Sequence, residues 1–230
     1  MRKIILLALL LACMSPTYSQ TSLGIIGGYN LSSIVPKRNL ESWGYDVSSR
    51  SGWRAGVITD HHLWSKFYLQ PQLLLNRKGY NYSFHNEVNG DYSKRERQFL
   101  YLELQASLIF KQQLGKGKLI VGAGHYIGRG ITGKERLTGY MDIDGRQVHF
   151  IDHNNIKFRS KEPANSTFPY DTYAKPYDLG INCLVGYELK NGLFFNVTYS
   201  EGITELGYYN GPGGNTYWGL TVGYFLKRFN

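Results

Sequence analysis

Residues 99–110 alternate without a break. Leu100, Leu102, Leu104, Ala106, Leu108 and Phe110 fall on one face of an extended chain, and Tyr101, Glu103, Gln105 and Ser107 fall on the other. A period of two makes this a β-strand, and its polar face cannot be a protein core. About eight segments of roughly ten or more residues share the pattern, most clearly 67–76, 179–189, 192–200 and 217–226. A membrane resolves the conflict: lipid solvates the apolar face, while water or a hydrogen-bonded network inside a closed sheet solvates the polar one. A spanning strand needs about 9–11 residues, which these segments supply. The soluble alternative is a sandwich or lipocalin-like barrel whose apolar face is the core; the polar faces weigh against it.

The N-terminus carries Arg2 and Lys3, an apolar run from Ile4 to Ala12, then Ser15 and Pro16, with Thr17 and Ser19 at −3 and −1 of a cut before Gln20. Residues 1–19 read as a signal peptide, and 20–230 as one barrel domain with no linker dividing it. The apolar run is too short for a spanning helix and no other stretch approaches the ~20 residues one needs. Leu10-Leu11-Ala12-Cys13 resembles a lipobox, so lipidation at Cys13 is an alternative fate; with the cut before Gln20, Cys13 is discarded. Cys183, alternating with Leu179, Ile181, Val185 and Tyr187, is then a lone lipid-facing or packing residue, without disulfide or metal role.

Loss of the leader takes the formal charge from +9 to +7. Basic balance suggests nucleic acid first, but export argues against it. The expected partners are outer-membrane lipid and lipopolysaccharide, the outer-membrane assembly machinery, and envelope or secretion proteins.

The strands are expected at about 23–32, 52–63, 67–82, 99–110, 118–132, 179–189, 192–200 and 217–226. Their links run long, short, long, middling, long, short, long, the longest at about 133–174. Spanning barrels have short periplasmic turns and longer external loops. Both termini therefore belong in the periplasm, and the fold expected is an all-β, eight-stranded antiparallel up-and-down transmembrane barrel. Closure matters because an open sheet edge would leave unpaired N–H and C=O groups in hydrocarbon. The last strand, with Trp218, Leu220, Val222, Tyr224 and Leu226 on its lipid face, resembles an assembly signal, although Phe229 stands next to the end instead of at it. Asp144-Gly145 predicts a hairpin over 140–151 within the longest loop.

Eight strands enclose a space that side chains can fill. Gln70, Gln72, Asn76, Lys78, Tyr101, Glu103, Gln105, Asp178, Asn182, Glu188, Asn196, Thr198, Ser200 and Thr221 should point inward as a satisfied polar network that plugs the barrel. Tyr29, Trp53, Trp64, Tyr80, Tyr126, Tyr199, Trp218 and Tyr224 are expected in the interfacial aromatic girdles.

Five stretches carry a family likeness: Gly24-Ile-Ile-Gly-Gly-Tyr-Asn-Leu-Ser-Ser33; Leu69-Gln-Pro-Gln-Leu-Leu-Leu-Asn-Arg-Lys-Gly79; Leu100-Tyr-Leu-Glu-Leu104; Val121-Gly-Ala-Gly-His-Tyr-Ile-Gly128; and Leu184-Val-Gly-Tyr-Glu-Leu-Lys-Asn-Gly-Leu193 with Tyr199-Ser-Glu-Gly-Ile203. In order and spacing the chain resembles the PorT-like outer-membrane β-barrel family common in Bacteroidetes. The resemblance implies the fold and the location, and an accessory role in type IX-like secretion more weakly. It brings no catalytic residue set.

Other constellations have simpler explanations. His149-Phe-Ile-Asp152-His153 is similar to an inverted zinc-protease pattern, but that chemistry needs a helix face, and loop polarity accounts for it. Asp142-Ile-Asp144-Gly145 matches only a fragment of a calcium loop, without the remaining ligands and the terminal Glu, and the Asp-Gly turn explains it more simply. His61 and His62 fit a strand end. Gly122, Gly124 and Gly128 lack the strand-to-helix context of a nucleotide site and suit close packing in a narrow barrel. Asp46, His85, Glu87, Ser93 and Asp171 lie where a rim hydrolase would place its groups, the least favoured reading. No catalytic, cofactor-binding or metal residues are assigned. The expected function is non-enzymatic surface recognition or an envelope-structural role through the external loops.

Overall fold

The computed structural model describes residues 21–35, 45–85, 90–143, 146–161, 172–207 and 213–229. The leader with Cys13, the Pro36 loop, Glu87, the Asp144-Gly145 turn and Asp171 lie outside them. Ten strands form one sheet: β1 (Thr21–Ile34), β2 (Tyr45–Trp64), β3 (Phe67–His85), β4 (Tyr92–Leu114), β5 (Gly117–Ile143), β6 (Arg146–Phe158), β7 (Tyr173–Ala174), β8 (Tyr177–Leu189), β9 (Leu193–Gly202) and β10 (Asn215–Phe229). The order is β4-β3-β2-β1-β10-β9-β8-β5-β6-β7, and β4 also pairs with β5. Eight strands thus close into an antiparallel ring, from which β6 and β7 extend. Among the described residues only the short β6–β7 pairing is parallel.

Closure satisfies the ladder from every side. β1 meets β10 over its full length, from Thr21 opposite Phe229 to Ile34 opposite Asn215, and β4 meets β5 from Leu114 opposite Gly117 to Tyr92 opposite Tyr140. Pro71 sits in β3 where the β2–β3 pairing is interrupted between Ile58–Gln72 and His61–Leu69 without a change of register, as expected for a residue with no N–H to give, and on its other side it lies opposite Ala106 of β4. Neighbouring turns are tight. Ser65 and Gly115 adopt the left-handed region (φ 50° and 58°), as the first central residue of a two-residue hairpin turn often must. The link expected to be middling in length is therefore only Gly115-Lys116, because β4 and β5 each continue to its edge.

The turns at 65–66, 115–116 and 190–192 share one rim, and the longer links share the other. At that second rim the strands outrun the expected boundaries. β2 begins at Tyr45 instead of near 52, β4 at Tyr92 instead of 99, and β5 continues to Ile143 instead of stopping near 132. Much of the stretch read as a loop at 133–174 is ladder: β5 pairs with β6 from Gly133–Ile156 to Ile143–Arg146. The hairpin is thus longer than 140–151. Together β2, β3, β4, β5 and β6 raise a five-stranded sheet beyond the ring.

The outer wall is apolar. Ile25, Leu73, Leu104, Val121, Ile181, Val197 and Leu220 all face outward and are exposed, as is Cys183. Inside, apolar layers alternate with polar ones. Ile26, Ile58, Leu74, Phe194 and Phe225 form one layer, and Ile109, Ile120 and Leu184 another. A third cluster, Ile34, Tyr80, Phe99, Tyr101, Ile156, Ala174 and Leu206, with Phe158 against it, covers the ring at the long-link rim. Two residues expected in the outer girdles are inside instead. Tyr126 is 2% exposed because His125 takes the outward phase of β5. Its ring fills space left by Gly180, where a Cβ would come within 2.5 Å of Tyr126 Cε1. Tyr80, on the inward phase of β3, is equally buried.

Candidate functional site

The strongest concentration of chemistry in the chain is the polar interior of the ring, and three buried cations organise it. Lys78 of β3 reaches across to Glu103 Oε1 at 2.6 Å and Asp178 Oδ2 at 3.0 Å, with none of the three side chains exposed. β3 and β8 stand three places apart in the ring, so this contact spans the interior instead of following the wall. Glu103 accepts further bonds from Asn76 Nδ2 (2.9 Å) and Gln105 Nε2 (3.1 Å). Asp178 accepts from Asn215 Nδ2 (2.8 Å) and the Tyr126 hydroxyl (3.2 Å). The Lys78 ammonium also lies 4.3 Å from the Tyr126 ring centroid and 5.1 Å from that of Tyr217.

Arg54 of β2 donates to Tyr217 Oη, Gln72 Oε1 and Gln105 Oε1 at 3.2–3.3 Å, tying β2 to β10, β3 and β4. Nearer the short turns, Lys111 Nζ sits 2.6 Å from both Asp60 Oδ2 and Glu188 Oε2, and Gln70 Nε2 donates to the other Asp60 oxygen at 2.8 Å. Beyond the ring, Arg97 Nε donates to Glu135 Oε2 at 2.6 Å, whose other oxygen accepts from Thr172 Oγ1 at 2.9 Å. Burying a charge costs much less when it is paired or hydrogen-bonded; Lys78, Lys111 and Arg97 meet carboxylates on other strands, and Arg54 is held by neutral acceptors on three strands.

Between the Lys78 and Lys111 centres, Ile26, Arg54, Ile58, Gln105, Asn182, Phe194 and Thr221 border a crevice too narrow to admit a water molecule. With the aromatic cover above it, the ring has a filled interior. What this arrangement does chemically is tie non-adjacent strands together across the ring.

Of the residues expected inside, Gln70, Gln72, Asn76, Lys78, Tyr101, Glu103, Gln105, Asp178, Asn182, Glu188, Thr198, Ser200 and Thr221 are buried. Asn196 is half-buried and accepts from Thr198 Oγ1 at 3.0 Å. Sequence reading missed Arg54, Asp60 and Lys111 as members of the network. Their signal was present: Arg54 and Asp60 keep the inward phase of β2, and Lys111 follows Ser107 and Ile109 in β4, one residue past the expected strand end. Of the aromatics, Trp64 and Trp218 are 57% and 60% exposed; Tyr29, Trp53 and Tyr224 also face outward. Tyr199 packs against Trp218 with its ring tilted, centroids 4.9 Å apart.

The other constellations come apart. His149 and His153 sit on β6, four residues and so ~13 Å apart, with Asp152 on the opposite face; His149 packs on Tyr140. His61 Nδ1 bonds Thr21 Oγ1, and His62 Nε2 bonds the Ser65 carbonyl. Among the rim residues, the register pairs Asp46 with Ser83 and His85 with Tyr92, which puts Ser93, opposite Phe84, on the other face of the sheet from His85 and Asp46. Among the described residues no group of three or more His, Cys, Asp or Glu is arranged to hold a metal ion.

The family model for the outer membrane protein beta-barrel domain matches residues 18–208. No curated protein matches in sequence. Solved structures with similar folds include Ail, the attachment invasion locus protein of Yersinia pestis, in complex with the heparin analogue sucrose octasulfate, at 13% identity over 92% of this chain and 99% of that one (TM-score 0.36). Neisserial surface protein A is 11% identical over 88% and 96% of the two chains (TM-score 0.36). The translocator domain of the autotransporter NalP from Neisseria meningitidis is 12% identical over 88% of each (TM-score 0.27).

Proposed function

The chain belongs to the outer membrane protein beta-barrel domain family and resides in the outer membrane, and from that premise we propose an eight-stranded up-and-down transmembrane barrel that is neither an enzyme nor a channel. Its working surface is the sheet that β2, β3, β4, β5 and β6 raise past the membrane, and its role is recognition or structural support at the cell surface. The observation that carries this reading is the filled interior beneath a projecting sheet: the Lys78, Arg54 and Lys111 contacts cross the space a solute would need, so the extramembrane elements are left as the site of function. Short turns on the periplasmic side and longer links outside follow the general habit of such barrels.

Trp64 and Tyr224 toward the short turns, and Tyr29, Trp53, Tyr199 and Trp218 toward the long links, then form the two interfacial girdles. Membership of the narrower PorT-like group of Bacteroidetes rests on the five stretches quoted above. A secretion-accessory role follows from that group alone; co-purification with secretion components is what would favour it.

Purified protein in planar bilayers should show no discrete conductance steps, and stable openings would overturn the filled-interior reading. A variant in which residues 137–155 are replaced by a short turn should still fold. If it kept every surface interaction of the full chain, recognition would not reside in the projecting hairpin.

A further inference from the structure

On the outer wall, at the height where the apolar band gives way to the projecting sheet, Trp53, Arg77, Gln98, Leu100, Thr132 and Lys134 line a groove of about 230 Å³. It crosses four strands. Leu100 lies between Arg77 of β3 and Thr132 of β5, and Gln98 lies between Gly79 and Lys134. The β4–β5 register shifts beside it: Leu100 opposes Thr132 while Tyr101 opposes Gly130, which leaves Ile131 as an extra residue. Such a bulge bends the wall locally and deepens the recess.

Its two ends differ in chemistry. On the membrane side are Leu75, Leu102 and Ile131, all outward and exposed. On the other side the charge is strongly positive. Among the described residues Arg77 donates to the amide oxygen of Gln98 and has no ion pair, and neither has Lys134. Glu96, on the same face and one step further along β4, is already shared by Arg50 (3.5 Å), Lys94 (3.4 Å) and Arg136 (3.9 Å). A guanidinium, an ammonium and an indole around a recess that opens onto hydrocarbon match one ligand type: an anionic headgroup whose acyl chain runs down the wall. Guanidinium and ammonium groups favour phosphate through charge-assisted bonds.

We propose that this groove is a binding site for a phosphorylated glycolipid of the surrounding leaflet, with its phosphate between Arg77 and Lys134 and an acyl chain along Leu75, Leu102 and Ile131. The inference rests on the transmembrane reading above, which places this height at the outer-leaflet headgroups. Native mass spectrometry of the detergent-solubilised full chain, titrated with bisphosphorylated or dephosphorylated lipid A, tests it. The protein should retain the phosphorylated lipid about tenfold better than the dephosphorylated one. The double variant Arg77→Gln/Lys134→Gln should lose that preference, whereas Lys190→Gln, at the opposite rim, should keep it. Equal retention of the two lipids, or an undiminished preference in the double variant, would overturn the proposal. All three proteins are first checked for heat-modifiable migration, a property that reports the barrel itself, so failure of the membrane reading appears separately from failure of the lipid site.

Discussion

Lys78→Met should lower the stability of the refolded protein by about 3–5 kcal/mol, the range for removing one partner of a buried ion pair. Methionine fits the volume but leaves Glu103 and Asp178 facing each other's charge in an interior from which water is excluded. Glu103 keeps its bonds from Asn76 and Gln105, and Asp178 keeps those from Asn215 and Tyr126, but amide and hydroxyl donors do not replace a full charge. Urea unfolding in lipid vesicles measures the loss. Adding Glu103→Gln and Asp178→Asn to Lys78→Met should recover a large part of it, because the triple variant removes both stranded charges. An unchanged unfolding midpoint for Lys78→Met would mean that the cross-ring contact contributes nothing to closure.

Leu104→Arg separates the two media that the outer wall could face. Leu104 is 54% exposed and lies between Leu73 and Ile127 in the apolar band. In water an exposed leucine-to-arginine change stays within about ±0.5 kcal/mol. In the middle of a bilayer it costs about 2–4 kcal/mol. The same unfolding assay should show the larger loss for Leu104→Arg, and almost none for Gln112→Arg beside the short turn, where headgroups and water accept the charge.

The period-two pattern made the outer wall legible in the sequence because lipid imposes a single rule on one face of every strand. Leu102, Leu104, Ile181, Leu220 and Val222 obey it in the structure as they do in the sequence. The interior was legible to the same depth only where polar residues kept strict phase inside the expected strand limits, as Gln72, Glu103 and Gln105 do. Lys111 lies one residue past the expected strand end, where hydrophobicity stops but the ladder continues toward the turn, whereas Asp60 falls within the expected 52–63 and its inward phase alone marks it.

The projecting sheet was read largely as loop for a related reason. Beyond the membrane neither face meets hydrocarbon, so 133–143 and 146–158 lose the apolar alternation while keeping their backbone pairing. Residue type alone puts Tyr126 and Tyr80 outside, since aromatics favour the interface. Parity puts them inside, where Lys78 beside the Tyr126 ring and the Arg97 bond to the Tyr80 hydroxyl give them partners. Which strands meet across the ring, as Lys78 and Asp178 do over a separation of 100 residues, depends on closure geometry that no local pattern encodes.

This ring closes around a polar interior and presents its apolar wall to the outer membrane. The most direct measurement is the mobility of the protein, taken from isolated outer membranes, on a denaturing gel with and without boiling. A closed barrel held by a full circle of ladders resists detergent unless heated. A compact, faster band before boiling that converts afterwards to the position of the unfolded chain, 26.3 kDa for the full sequence, is the predicted result. A protein recovered from the soluble fraction, with the same mobility before and after boiling, would contradict it.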